Sequence, residues 1–168
     1  FAALIASVTG SSITSCSESF LDENLTTQYS TDRFKTQEGL DELVTGAYQK
    51  LKFKFNYIWG IQCYNMGVDE FTDANNVIPA WNHYSQDLNS SENGANQPIW
   101  DNYYGLVEPA NILIQNIPQY YNQSSPTYNT RLGEAHFLRA YAYFELVKQF
   151  GGVPLKLAPS TSAETYFT

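Results

Sequence analysis

The chain has 168 residues, of which 43% are hydrophobic and 15% charged, and its formal net charge is −8. This length suits about one domain with a real core. The acidic balance argues against a nucleic-acid-binding protein, and it gives no attraction to an anionic lipid surface. Tyr, Phe and Trp make up 15% of the residues, and Tyr is the commonest of the three. Because few charges accompany these aromatic side chains, the composition favours an uncharged polar ligand.

The N-terminal residues have the pattern of a bacterial lipoprotein signal. Residues 1–15 carry no charge, and a short apolar run there gives way to small residues, as at the end of a signal peptide. Cys16 follows an Ile-Thr-Ser run that resembles the lipobox, whose cysteine is lipidated. We expect a signal-peptide remnant over residues 1–15 and a lipidated Cys16 with a polar tether over residues 16–30. The alternative is an ordinary signal peptide with a chance cysteine.

The second cysteine, Cys63, has no disulfide partner if Cys16 carries lipid. It lies in an Ile-Gln-Cys-Tyr run. A small buried thiol is therefore expected there, rather than a nucleophile.

The first helix is predicted between Thr31 and Phe55. Counted from Leu40, the apolar side chains recur at offsets of 0, 3, 4, 7, 11 and 15, which is helical spacing. Acidic residues near the start and lysines near the end complement the helix dipole. Either Thr36 or Asp32 could cap this helix.

Two further helices are predicted to form an antiparallel hairpin. One runs from Pro98, at its first position, to Ile117, and the other runs from about Thr130 to Gln149. Gly151, in a Gly-Gly-Val-Pro run, is expected to form a left-handed cap on the second of them.

Small and large side chains are expected to interlock between these two helices, as they do in tetratricopeptide units. The small residues concerned are Ala135 and Ala142, and the large ones are Trp100, Tyr104 and Phe144. Such a hairpin cannot bury both of its faces alone. We therefore expect the chain to be a fragment, with part of its signal missing in front and a large part of the protein missing behind.

Residues 67–94 have a different composition, which predicts a long loop. They are rich in Asn, aromatic and acidic residues and show no helical period. A flat indole can stack on the apolar face of a sugar ring, and amides can hydrogen-bond to vicinal hydroxyls. The candidate ligand-binding residues are therefore Trp81, Asn82, Tyr84, Asn75 and Asn76. The alternative for Trp81 is a loop anchor buried in the core.

The case for catalysis is weak. Asp69 or Asp73 could belong to the acid–base pair of a surface glycosidase, but a solvated acidic loop is far commoner. The histidines, His83 and His136, match no zinc motif, and the chain has no phosphate-binding or dinucleotide-binding glycine motif. We expect no enzyme activity, no cofactor and no metal site.

Several blocks of sequence together resemble the SusD-like (RagB/SusD) nutrient-binding outer-membrane lipoproteins. In chain order they are Cys16 with Phe20-Leu21-Asp22; Phe34, Leu40, Leu43 and Gly46-Ala47-Tyr48; Trp100, Tyr103 and Ala110-Asn111; and residues 133–155. The last block, from Gly-Glu-Ala-His-Phe-Leu-Arg-Ala to Phe-Gly-Gly-Val-Pro-Leu, is the most specific. The resemblance covers essentially the whole chain.

The resemblance implies an all-α fold of tetratricopeptide-like helix hairpins with long irregular loops. Residues 31–155 would form the N-terminal helical domain, and residues 156–168 would begin the truncated remainder. It also implies a non-enzymatic lipoprotein, anchored in the outer membrane through Cys16 and exposed on the cell surface. Such a protein would bind an oligosaccharide and deliver it to a SusC-like TonB-dependent transporter. The alternative is a tetratricopeptide-type protein-binding scaffold without a sugar site.

Three residues are expected to act structurally, namely Trp100, Gly151 and Arg139. Arg139 lies in the third predicted helix, where its neighbours at i±4 are Ala135 and Tyr143 and cannot pair with it. We expect it to reach a partner outside that helix, with Glu108 as the candidate.

Overall fold

The computed structural model describes residues 31–56, 58–72, 79–84 and 93–160, all within one compact unit, Thr31–Thr168. These residues are mostly helical and include no β-strand, which confirms the all-α prediction. The expected signal remnant, the tether with Cys16, and the candidates Asn75 and Asn76 lie outside the described residues.

Six α-helices and two 3-10 turns follow one another along the described part of the chain. The helices are α1 (Gln37–Gln49), α2 (Phe53–Asn56), α3 (Ile58–Asn65), α4 (Pro79–His83), α5 (Asn93–Tyr120) and α6 (Tyr128–Phe150). The 3-10 turns, Thr31–Lys35 and Lys50–Lys52, flank α1. Helix α5 packs along α6, and α1 packs against both.

Helix α1 begins at a threonine cap. The Thr36 hydroxyl accepts the N–H of Gly39 at 3.1 Å, so Thr36 is the cap, and Asp32 instead pairs with Lys35. Leu40 and Val44 are buried, as the helical spacing predicts. The cap residue and the buried side of α1 therefore follow directly from the local sequence.

The predicted end of the first helix at Phe55 is wrong, because α1 ends at Gln49 and the chain tightens into a 3-10 turn. After that turn Phe53 is buried while Phe55 is exposed. Helix α3 then returns closely onto α2: a Cβ at Gly60 would lie 1.6 Å from the carbonyl oxygen of Phe53. Only glycine allows this approach.

The predicted hairpin is present, but its first helix is longer than predicted. Helix α5 begins at Asn93, so Pro98 lies inside it and not at its first position, and Pro109 and Pro118 are internal too. Each internal proline removes one intrahelical hydrogen bond. Packing against α6 and α1 compensates for those losses. Helix propensities of single residues do not include this tertiary stabilisation.

Helix α6 buries one side and exposes another. The four residues predicted to line its packing side are fully buried: Ala135, Leu138, Ala142 and Leu146. Phe144, by contrast, is 60% exposed, which corrects the expectation that it packs between the helices. Phe137 and Val147 are exposed beside it, because this side of α6 points away from α5 and α1.

The buried apolar side chains form two clusters. The smaller joins α1 to α5 and α6 near the turn between them, through Leu40, Val44, Leu113, Ile117, Tyr121 and Ala135. The larger includes residues of α2, α3, α4, α5 and α6, among them Phe53, Cys63, Trp81, Tyr103 and Leu146. The short helix α4 is thereby fixed to the core of the hairpin.

Two of the expected structural residues lie near the end of α6. The Trp100 ring contacts Tyr104, with ring centroids 4.7 Å apart, and meets Phe150 edge-on at 5.2 Å. Gly151 has φ +74 and donates its N–H to the Val147 carbonyl at 2.9 Å. Its ψ of −126 lies outside the left-handed helical region, so the cap is a glycine-dependent turn of another kind.

Candidate functional site

The segment expected to be loop contains the short helix α4, and Trp81 on that helix points into the core. Its side chain is 9% exposed and belongs to the larger apolar cluster. Among the described residues no acceptor pairs with its buried Nε1. A ring buried in this way has little face to offer a sugar. The placement therefore matches the core-anchor alternative for Trp81.

Tyr84 and Asn82 lie on the outer side of the same segment. Tyr84 is 72% exposed, and its hydroxyl donates to the carbonyl of Gly67. The Asn82 amide donates to the Thr72 hydroxyl at 2.7 Å. The two hydrogen bonds join α4 and the residue that follows it to the turn after α3, so both side chains have fixed positions next to an apolar anchor.

The backbone around these residues is constrained. Tyr84 has φ +47, a conformation that costs about 1 kcal/mol for a residue other than glycine. Gly67 has φ +77, and a Cβ there would lie 2.7 Å from the Tyr84 hydroxyl and 2.8 Å from the Trp81 carbonyl oxygen. Gly67 therefore allows the turn and α4 to meet.

The surface formed by this turn and α4 is aromatic and apolar. Val68 and Phe71 are exposed and form an isolated bridge with each other, and Tyr84 is exposed directly after the neighbouring helix α4. Asp69 and Glu70 project from the tip of the same turn and are exposed. Asp73, the other carboxylate of the glycosidase alternative, lies outside the described residues.

Sequence reasoning missed a buried charged cluster between α2, α3 and α6. Glu145 is 2% exposed, and its carboxylate lies 3.4 Å from Lys54 Nζ and 3.3 Å from Lys148 Nζ. The Tyr64 hydroxyl donates to it at 3.0 Å and lies 3.0 Å from the hydroxyl of Tyr103. The i,i+3 spacing of Glu145 and Lys148 is the only signal of this cluster in the sequence.

Burial affects the titration of the groups in this region. It raises the pKa of the Tyr64 and Tyr103 hydroxyls well above the usual value, and the nearby Glu145 carboxylate acts in the same direction. Burial also raises the pKa of the Cys63 thiol to about 12. A thiol that stays protonated is a poor nucleophile, in keeping with the predicted buried thiol.

Arg139 has partners outside its helix, but Glu108 is not among those the structure gives it. Its Nη1 donates to Asn111 Oδ1 at 3.1 Å and to the Leu157 carbonyl at 3.3 Å. Glu108, one turn from Asn111 on α5, accepts hydrogen bonds from Ser160 instead. The expected ion pair is therefore replaced by an amide contact.

Two features are absent from the part of the chain that the structure describes. The described residues contain no group of three or more His, Cys, Asp or Glu side chains arranged to bind a metal ion. None of their helices combines the length and apolar character that crossing a membrane requires.

The fold and this surface define a class of protein: an all-α helical hairpin that carries an exposed aromatic and amide surface on a short flanking helix and the turn before it. A SusD-like family model, described as "starch-binding associating with outer membrane", matches residues 19–167. The chain belongs to the SusD-like family. SusD-like proteins are binding proteins associated with the outer membrane.

A curated relative supports this assignment. The chain is 30% identical over 161 residues to the SusD-like protein P38 of Formosa agariphila, a match that covers 93% of this chain and 29% of the relative. The chain thus spans less than a third of the length of that relative. No solved structure matched the chain.

Proposed function

We propose that the chain binds an oligosaccharide at the cell surface and delivers it to a SusC-like TonB-dependent transporter of the outer membrane. The observation that carries this proposal is the family match over residues 19–167. The chemistry is non-covalent: aromatic stacking and neutral hydrogen bonds capture the sugar. No cofactor and no nucleic acid take part.

The proposed ligand surface is the outer side of α4 and the turn before it. Tyr84 supplies an exposed ring and Asn82 supplies an amide, while Asn75 and Asn76 come from the segment that joins the turn to α4. The buried Trp81 ring anchors this segment to the larger apolar cluster. Fixed positions favour binding, because less side-chain freedom is lost when a ligand is captured.

Affinity electrophoresis in gels containing starch, with other neutral glycans in parallel, tests the site. We expect the glycan to retard the parent chain, Tyr84→Ala to lose most of this retardation, and Tyr120→Ala to keep it. Tyr120 is the matched control, since it is an exposed tyrosine at the far end of α5. Unchanged retardation of Tyr84→Ala would reject the site, and no retardation by any glycan would reject the function.

The proposed membrane anchor is the lipid on Cys16. Two or more acyl chains turn marginal membrane binding into stable anchoring. Labelled palmitate should be incorporated by the parent chain and not by Cys16→Ser when both are expressed with an intact signal peptide. Equal incorporation by the two chains would remove the anchor from the proposal.

Release of reducing sugar from a bound glycan would overturn the non-enzymatic assignment.

A protein-binding scaffold is the second candidate function, and one observation favours it. The exposed side of α6 presents Phe137, Phe144 and Val147 at helical spacing, a surface suited to an apolar partner helix. The variant Phe137→Ser with Phe144→Ser separates the two functions. Loss of co-purification with the SusC-like transporter, together with no glycan retardation of the parent chain, would favour the scaffold.

A further inference from the structure

The chain that follows α6 lies along the hairpin as a strap, which we define as residues 154–160. It has no regular secondary structure and bends at Ala158. Side chains of α5 and α6 contact it mainly through its main-chain atoms. These side chains are Tyr104, Glu108 and Asn111 on α5, and Arg139 and Tyr143 on α6.

Asn111 is the centre of this arrangement. Its side chain is buried, and its amide nitrogen donates to the Lys156 carbonyl at 3.2 Å and to the Ala158 carbonyl at 3.1 Å. The Leu157 carbonyl between them also faces the hairpin, because it accepts from Arg139 Nη1 at 3.3 Å. One buried amide and the guanidinium beside it therefore bind three successive main-chain carbonyls. Arg139 fixes the amide by donating to its oxygen at 3.1 Å.

The other contacts extend this recognition in both directions along the strap. The Tyr104 hydroxyl donates to the Pro154 carbonyl at 2.7 Å. The Tyr143 hydroxyl accepts the N–H of Lys156 at 2.6 Å and donates to the carbonyl of the same residue at 2.9 Å. Glu108 accepts the N–H of Ser160 at 2.9 Å.

Among the side chains of the strap, the Ser160 hydroxyl donates to Glu108 at 3.1 Å, but the leucines contribute little to this contact. Leu155 is 68% exposed and Leu157 is 58% exposed, so both apolar side chains point outward. Leucines that held the strap in place would instead be buried.

We propose that α5 and α6 form a main-chain clamp, a site that holds residues 154–160 of the same chain chiefly through their backbone groups and does not depend on the apolar side chains of the strap. The clamp fixes the register and direction of the chain after α6. None of the clamp residues belongs to α4 or to the turn before it, so the clamp does not depend on the proposed sugar site.

Amide hydrogen exchange of the full 168-residue chain tests the clamp. Tyr143→Phe removes only the hydroxyl that bonds both main-chain groups of Lys156, and it should speed exchange of that amide roughly tenfold. Asn111→Ala should speed exchange at Lys156 and Ser160. The matched control, Leu155→Ser with Leu157→Ser, should leave both amides unchanged, because it alters only outward side chains.

Equal loss of protection in the double-serine variant would overturn the proposal, since side-chain packing would then hold the strap. Unchanged exchange of Lys156 in Tyr143→Phe would overturn it too. If Asn111→Ala does not fold, as judged by its helical circular dichroism, Tyr143→Phe decides the question, because that variant keeps the aromatic ring and its packing on Tyr104.

Discussion

The hydroxyl of Tyr64 on α3 donates to the buried carboxylate of Glu145 on α6 at 3.0 Å. These residues lie far apart in the sequence, and the contact joins the segment that leads to α4 with the second helix of the hairpin. Lys54 adds to the link, since its ammonium lies 3.4 Å from the same carboxylate and 4.6 Å from the centre of the Tyr64 ring. Polar contacts thus reinforce the apolar cluster there.

Glu145→Ala is expected to lower the free energy of unfolding by about 2–3 kcal/mol. The substitution leaves Lys54 and the Tyr64 hydroxyl without their buried acceptor. Removing one partner of a buried polar contact is destabilising, because the groups that remain are buried without a hydrogen-bond partner. Urea denaturation followed by circular dichroism measures the loss. Glu70→Ala, at an exposed position of the turn, is the control and should change stability by less than about 0.5 kcal/mol. Equal effects of the two substitutions would show that the cluster is not stabilising.

Two glycines in helices should respond oppositely to the same substitution. Gly60→Ala places a Cβ 1.6 Å from the Phe53 carbonyl oxygen, so α2 and α3 must separate, at a cost of about 2 kcal/mol or more. Gly133→Ala on α6 meets no atom within 4 Å and should stabilise the chain by about 0.5–1 kcal/mol. Thermal denaturation of both variants tests the pair. A Gly60→Ala variant as stable as the parent would refute the close approach of α3.

Helical periodicity predicted much of the fold but not which sides of the helices pack together. It located Leu40 and Val44 on α1 and the buried stripe of α6. It failed for Phe144, because α6 has apolar residues on two sides and the pattern alone does not say which side meets α5. The start of α5 was missed for a related reason. Local preferences place a proline at the first position of a helix, but tertiary packing stabilises α5 from Asn93 onward, with Pro98 inside it.

The candidate site was less predictable than the helices. Helix α4 has five residues, too few to show a period, so its segment looked like loop. Composition identified both Trp81 and Tyr84 as candidate binding residues. Only the packing shows that Trp81 is a buried anchor and that Tyr84 is an exposed ring. The Glu145 cluster depends on contacts between distant segments, which a single sequence does not encode in any local pattern.

The Cys63 thiol predicts a pH dependence of stability. Burial raises its pKa to about 12 in the folded chain, against 9.0 for an ordinary thiol. Between about pH 9 and pH 12 the unfolded chain ionises while the folded chain does not, so this group makes the free energy of unfolding fall as the pH rises. Comparing Cys63→Ala with its parent, both carrying Cys16→Ser, cancels the shared tyrosine titrations. The stability difference between the two chains should shrink by about 1 kcal/mol from pH 8 to pH 10. A constant difference would contradict the buried thiol.

Trp81 and Tyr84 should separate stability from binding. Trp81→Ala removes a buried ring from the larger cluster and is expected to cost about 3 kcal/mol, whereas Tyr84→Ala removes an exposed ring and should cost less than about 1 kcal/mol. Trp81→Phe refills most of the space and should recover most of the stability. If Trp81 is an anchor, Trp81→Phe also keeps glycan retardation in affinity gels, while Tyr84→Ala loses it. A Trp81→Phe variant as stable as the parent but without glycan retardation would instead assign the indole itself to the sugar.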